Sequence, residues 1–175
     1  MSQGQIEIGI PGSGTTDFAA GPIPSVTLDD WDLDEGIPVP RPIGYKEIGQ
    51  RSNNGVAGIT GPAHEVLYGS QIVVFADINQ MLQVGALAEW QKDQQDADQL
   101  GALRYIDECN YLPAKASPHP KQLLTAFNPT WNAAYEYGYG VLPVQLILSD
   151  GWNRPVGQFS DGTPAYRLTF DVEEI

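Results

Sequence analysis

The first forty residues contain no lysine or arginine, yet they carry seven carboxylates among clustered glycines and prolines. A stretch of this composition offers little apolar surface to offset the entropy of ordering its backbone. It is therefore expected to be an extended, acidic Gly/Pro-rich arm, residues 1–42, that gains its order against another surface. Within it Ile6, Ile8 and Ile10 alternate with polar positions as a short strand would. Residues 23–28 read as extended, and Asp29 to Glu35 form an acidic knot around Trp31 and Leu33. Ile37-Pro38-Val39-Pro40-Arg41-Pro42 reads as a stiff polyproline-like spacer.

Residues 43–175 are of ordinary single-domain size and long enough to bury a core. Asn53-Asn54-Gly55 marks a tight turn. Residues 65–76 read as a strand, with Ile72-Val73-Val74-Phe75 apolar on both faces. Asp77 is a good helix N-cap with Gln80 three residues on. Ile78, Met81, Leu82, Ala86 and Trp90 give the helix an apolar face. Leu100, Leu103, Tyr105, Cys109 and Leu112 suggest a second helix ending before Pro113, so the helical segment is expected over 78–112. Strand patterns return over 131–148, a loop follows over 149–164, and Tyr166, Leu168, Phe170 and Val172 alternate cleanly with polar residues. Strands and helix without a βαβ rhythm indicate α+β, with a mainly antiparallel β-sandwich or barrel, a helical insertion and the N-terminal arm.

A formal charge of −13, with only nine basic residues, disfavours nucleic acid and anionic membrane surfaces as direct partners. It suits contact with a cationic surface. The single cysteine, Cys109, excludes an internal disulfide and reads as a buried thiol. The first residues lack the basic-then-apolar pattern of a signal peptide, so synthesis in a reducing cytoplasm is expected.

Candidate sites are few. Asp30, Asp32 and Asp34 imitate the start of a calcium loop, but Gly36 comes one residue late and Arg41 stands where a bidentate glutamate belongs. An acidic segment in solvent, or docked on a basic neighbour, is the plainer reading. Gly9, Gly12 and Gly14 precede Thr15-Thr16 without the lysine a phosphate loop needs, so they are read as permitting tight bends. His64 and His119 lie far apart and have no metal-type spacing to Cys109. Glu89, Asp93, Asp96 and Asp98 read as a solvated face. No constellation places a nucleophile beside a base, and neither catalytic residues, metal ligands nor a cofactor are expected. Trp131, Tyr135, Tyr137 and Tyr139 fall on one strand face, which suits packing, a subunit interface or stacking on sugar rings.

An extended arm leads through Arg41-Pro42-Ile43-Gly44-Tyr45 into Gly69-Ser70-Gln71-Ile72-Val73-Val74-Phe75-Ala76-Asp77 and a helix. The chain closes on Tyr166-Arg167-Leu168-Thr169-Phe170-Asp171-Val172-Glu173-Glu174-Ile175. This layout resembles structural proteins of tailed-bacteriophage virions, of the tail-tube, tail-adaptor and baseplate kinds. The resemblance implies a β-sandwich or barrel with a flanking helix, no enzymatic activity, a place in the virion, and copies of itself and other virion proteins as partners. Assembly is expected through the arm, anchored by Trp31 and Leu33, and through sheet-mediated contacts. The rival readings are a carbohydrate- or receptor-binding module using the aromatic strand face, and a capsid decoration protein.

Overall fold

The computed structural model describes residues 5–14, 16–29, 38–47, 64–113, 122–123 and 136–175. Among the described residues nine strands and one helix follow in the order β1 (Gln5–Gly9), β2 (Val26–Asp29), β3 (Arg41–Glu47), β4 (His64–Asp77), α1 (Ile78–Asp96), β5 (Leu103–Pro113), β6 (Gln122–Leu123), β7 (Glu136–Ile147), β8 (Asn153–Gln158) and β9 (Pro164–Glu174). All are antiparallel members of one open sheet, ordered β2-β1-β5-β7-β9-β4-β3, with β6 beside β7 and β8 beside β9. The α+β class and the antiparallel sheet are as the sequence predicts. Barrel closure is not: β2 and β3 end the order unpaired with each other, and the layer against the sheet is α1.

The segment read as an arm is corrected over residues 5–29. β1 and β2 form a hairpin with Ile6 opposite Leu28 and Ile8 opposite Val26, and β1 also pairs with β5. Ile6, Ile8, Val26 and Leu28 are fully buried in the main core. Two isoleucines and two further apolar residues at period two were enough, because the rest of the domain supplies the surface they cover. This hairpin is part of the domain's own sheet.

The second predicted helix is also corrected. α1 ends at Asp96, and residues 103–113 are strand β5, which places Cys109 on a strand. The helix stops in a Schellman turn: Gln99 N–H donates to Gln94 O at 2.8 Å and Asp98 N–H to Gln95 O at 3.0 Å. Asp98 takes the left-handed conformation (φ 56°) where glycine is usual. Gly101 (φ 63°) then turns the chain into β5; a Cβ there would stand 3.0 Å from Gln91 O. Leu103 and Tyr105 enter the core, while β1 on one side and β7 on the other use the backbone of β5.

At the other end of α1 the expected capping box is present. Gln80 N–H donates to Asp77 Oδ1 at 2.8 Å, and Asp77 N–H to Gln80 Oε1 at 3.0 Å. The Gln80 amide then donates to Thr27 O of β2 at 3.0 Å. β2 and β4 stand five places apart in the sheet, yet one side chain just after β4 reaches β2. The sheet therefore curls, and α1 lies in its trough. The most deeply buried helix residues are Val84, Leu87 and Gln91; of the expected stripe Met81 and Trp90 pack against the core, while Leu82 stays 57% exposed.

Candidate functional site

Besides Ser70, four polar or charged side chains are buried among the described residues: Gln91, Arg104, Asp107 and Glu174. Each has a structural occupation. β7 runs on past Val144, where its pairing with β5 ends, to Ile147. Gln91 fills the missing lane. Its amide donates to Val144 O at 3.2 Å and to Gly101 O at 2.7 Å, and its Oε1 accepts from Leu146 N–H at 2.8 Å. A primary amide has the donor and acceptor of a peptide unit, so Gln91 pairs with β7 as another strand would. Glu174 does the same for β4, accepting from Tyr68 N–H at 2.9 Å just beyond the first β4–β9 pair, Gly69 and Glu173.

Asp107 holds a bulge. The β5–β7 register jumps between Asp107 and Tyr111, and Asp107 accepts from Asn110 N–H at 3.2 Å and Asn110 Nδ2 at 2.7 Å. Asn110 Nδ2 also donates to Pro38 O at 2.8 Å, tying the bulge to the approach to β3. Arg104 donates to the carbonyl of Asp17 and lies 3.6 Å from its carboxylate. This pins the bend after β1, where Gly12 N–H donates to Asp17 O at 2.9 Å. A Cβ on Gly12 would stand 2.3 Å from Asp17 Oδ2, and one on Gly9 2.6 Å from the Phe18 ring. The glycines thus serve close approach at a bend, as the sequence suggests. Nearby, burial pushes the Glu7 carboxyl pKa up and Glu108 adds to this, against the bond from the Thr27 hydroxyl at 3.4 Å.

The remaining sequence candidates separate widely. Trp31, Leu33, Trp131 and Tyr135 lie outside the described residues, as do Asp30, Asp32, Asp34, Gly36 and His119. Arg41 and His64 begin β3 and β4. Tyr137 and Tyr139 are on β7, where the backbone register sets them opposite Pro113 and Tyr111. Glu89, Asp93, Asp96 and Asp98 are all exposed. Among the described residues no cluster of three or more His, Cys, Asp or Glu is placed to hold a metal, and no helix is long and apolar enough to cross a membrane.

Two surface features emerge. The first is a fork. β9 pairs with β7 only over Val144–Ile147 and with β4 only from Gly69 onward. Beyond Glu174, β4 continues with β3 as one ribbon, and β7 continues with β5 and β6 as another. The second is a shallow groove of about 400 Å³ where the Pro22-Ile23-Pro24 loop meets Asn79, Leu82, Gln83 and Ala86 of α1. Sequence reasoning missed the groove by assigning Leu82 and Ala86 to the core. It missed Gln91 because a polar residue one turn beyond Leu87 breaks the apolar pattern.

Comparison with protein-family models, with curated proteins and with solved structures gave no match.

Proposed function

We propose that this chain is a non-enzymatic structural subunit of a phage virion, of the tail, connector or baseplate. The observation that carries this reading is the fork. Ribbons of two or three strands leave faces that gain when a further surface packs on them. Over residues 64–68 β4 pairs with β3, and over 136–142 β7 pairs with β5 and β6 and not with β9, with Tyr111, Tyr137 and Tyr139 in register on that second ribbon. Buried polar groups that could have served a reaction are instead engaged in backbone pairing and bends. Contact then runs through the ribbons.

Light scattering across concentration, with electron microscopy of the larger species, tests the reading. Rings, stacks or tubes are expected, and Tyr137→Asp with Tyr139→Asp should leave a folded monomer. A protein that stays monomeric at every attainable concentration, or that turns over a small substrate, counts against it. The aromatic register also suits a carbohydrate-binding face. Glycan binding lost on Tyr137→Ala, with oligomeric state unchanged, would favour that reading. Assembly onto preformed capsids in place of self-assembly would mark a capsid decoration protein.

A further inference from the structure

We infer that the outer face of α1, with the Pro22–Pro24 loop, is a docking surface for a basic, amphipathic segment of another protein. The surface is independent of the virion reading. One end is the groove of about 400 Å³ where Pro22, Ile23, Pro24, Leu82 and Ala86 lie beside the polar Asn79 and Gln83, and in it Leu82 is 57% exposed. Leu82, Ala86, Glu89, Asp93 and Asp96 recur at spacings of four and three, so they form one outward stripe that is apolar at its start and acidic at its end. At 1.5 Å per residue, Glu89 lies about 10 Å and Asp93 about 16 Å along the axis from Leu82.

The acidic end contradicts the helix that carries it. Unsatisfied carbonyls make a helix C-terminus negative, and cations are favoured there. α1 has no basic residue in its last turn and no acidic residue in its first. Asp93 and Asp96 stand in that last turn, with Asp98 just past it, and no ion pair engages them among the described residues. Helix stability does not explain these carboxylates. A local rule broken without a gain to the fold points to a use beyond the fold. A cationic partner would relieve both the mutual repulsion and the clash with the helix end. A second copy of a chain with charge −13 would worsen both, as would nucleic acid or an anionic bilayer. The occupant is therefore a protein segment with an apolar residue for the groove and Lys or Arg over the next two helical turns.

The probe is a synthetic helical peptide of about four turns, with leucines in its first turn and lysines along the following ones, titrated into the isotopically labelled full chain. A peptide with glutamate in place of lysine is the control. Amide signals of Ile23, Leu82, Ala86, Glu89 and Asp93 should move with the basic peptide alone. Leu82→Ser should weaken binding several-fold while leaving the melting temperature unchanged. Asp93→Asn with Asp96→Asn should act in opposite directions on two readouts, raising the melting temperature and weakening the peptide several-fold. The inference is overturned if the groove signals stay still, if the acidic peptide binds equally, if Leu82→Ser has no effect on affinity, or if the double variant is stabilised yet binds as before.

Discussion

Two hairpins of this protein reverse what their composition suggests. β1–β2 comes from an acidic, glycine-rich stretch, yet its four inward side chains are wholly buried. β8–β9 contains the cleanest alternating strand in the chain, yet β8 is exposed over Arg154–Gln158 although it pairs with β9. Pairing and burial are separate matters. β1 lies inside the sheet, between β2 and β5, and its pleat faces α1. β8 is an edge, and it carries an edge's protections: Pro155, which lacks an N–H, and a bulge between Pro155 and Gly157. What decides the role of a strand here is its place in the order, with the few side chains that point inward, rather than the average character of its segment.

Truncation breaks that comparison most severely. Removing residues 1–29 withdraws Ile6, Ile8, Val26 and Leu28, roughly 6–12 kcal/mol of burial against a net stability of about 5–15 kcal/mol for a typical domain. The truncated chain should show no cooperative transition by circular dichroism; a cooperative melt would make the hairpin an appendage after all. On the same axis Ile8→Ala should cost about 2–5 kcal/mol, and Val156→Ala no more than about 0.5 kcal/mol, by urea denaturation.

Replacing the amide that stands in for a strand comes next. Gln91→Leu leaves Val144 O, Leu146 N–H and Gly101 O without their partner and should cost about 2–4 kcal/mol. Faster amide exchange at Leu146 would accompany it; unchanged exchange would mean that another group serves β7. Asp98→Gly should stabilise by about 0.5 kcal/mol, since glycine suits the left-handed C′ position better than aspartate. The denaturation midpoint would shift up with unchanged slope.

The smallest effect is the pH response at Glu7 of β1. Burial and Glu108 raise the Glu7 pKa in the folded state. Stability from this group is therefore fully present below its unfolded pKa and is lost as pH rises through the folded value. Glu7→Gln should make the protein slightly more stable at neutral pH, with the difference vanishing in acid. An equal gain at both pH values would place the effect elsewhere.

Much of the fold was legible. β4, β9 and the Asp77–Gln80 capping box follow from local pattern and from side chains that satisfy their own backbone. β5 was not, because its third inward position is Asp107, a buried acid served by Asn110, which conceals the alternation begun by Leu103 and Tyr105. β8 was hidden by Pro155 and Gly157, loop residues in most contexts but suited to an edge. The burying side of α1 was rotated in the reading because Gln91 counts as polar until its three bonds are known. The fork depends on where distant strands stop pairing, which no local window contains. The groove depends on the Pro22–Pro24 loop returning to α1.

The sheet has two blocks, β2-β1-β5-β7 and β4-β3, and β9 is the seam between them. Strand pairing between the blocks waits for residues 164–174 to be synthesised. Until then the nascent chain carries two raw sheet margins, a situation that favours chaperone custody and slow maturation.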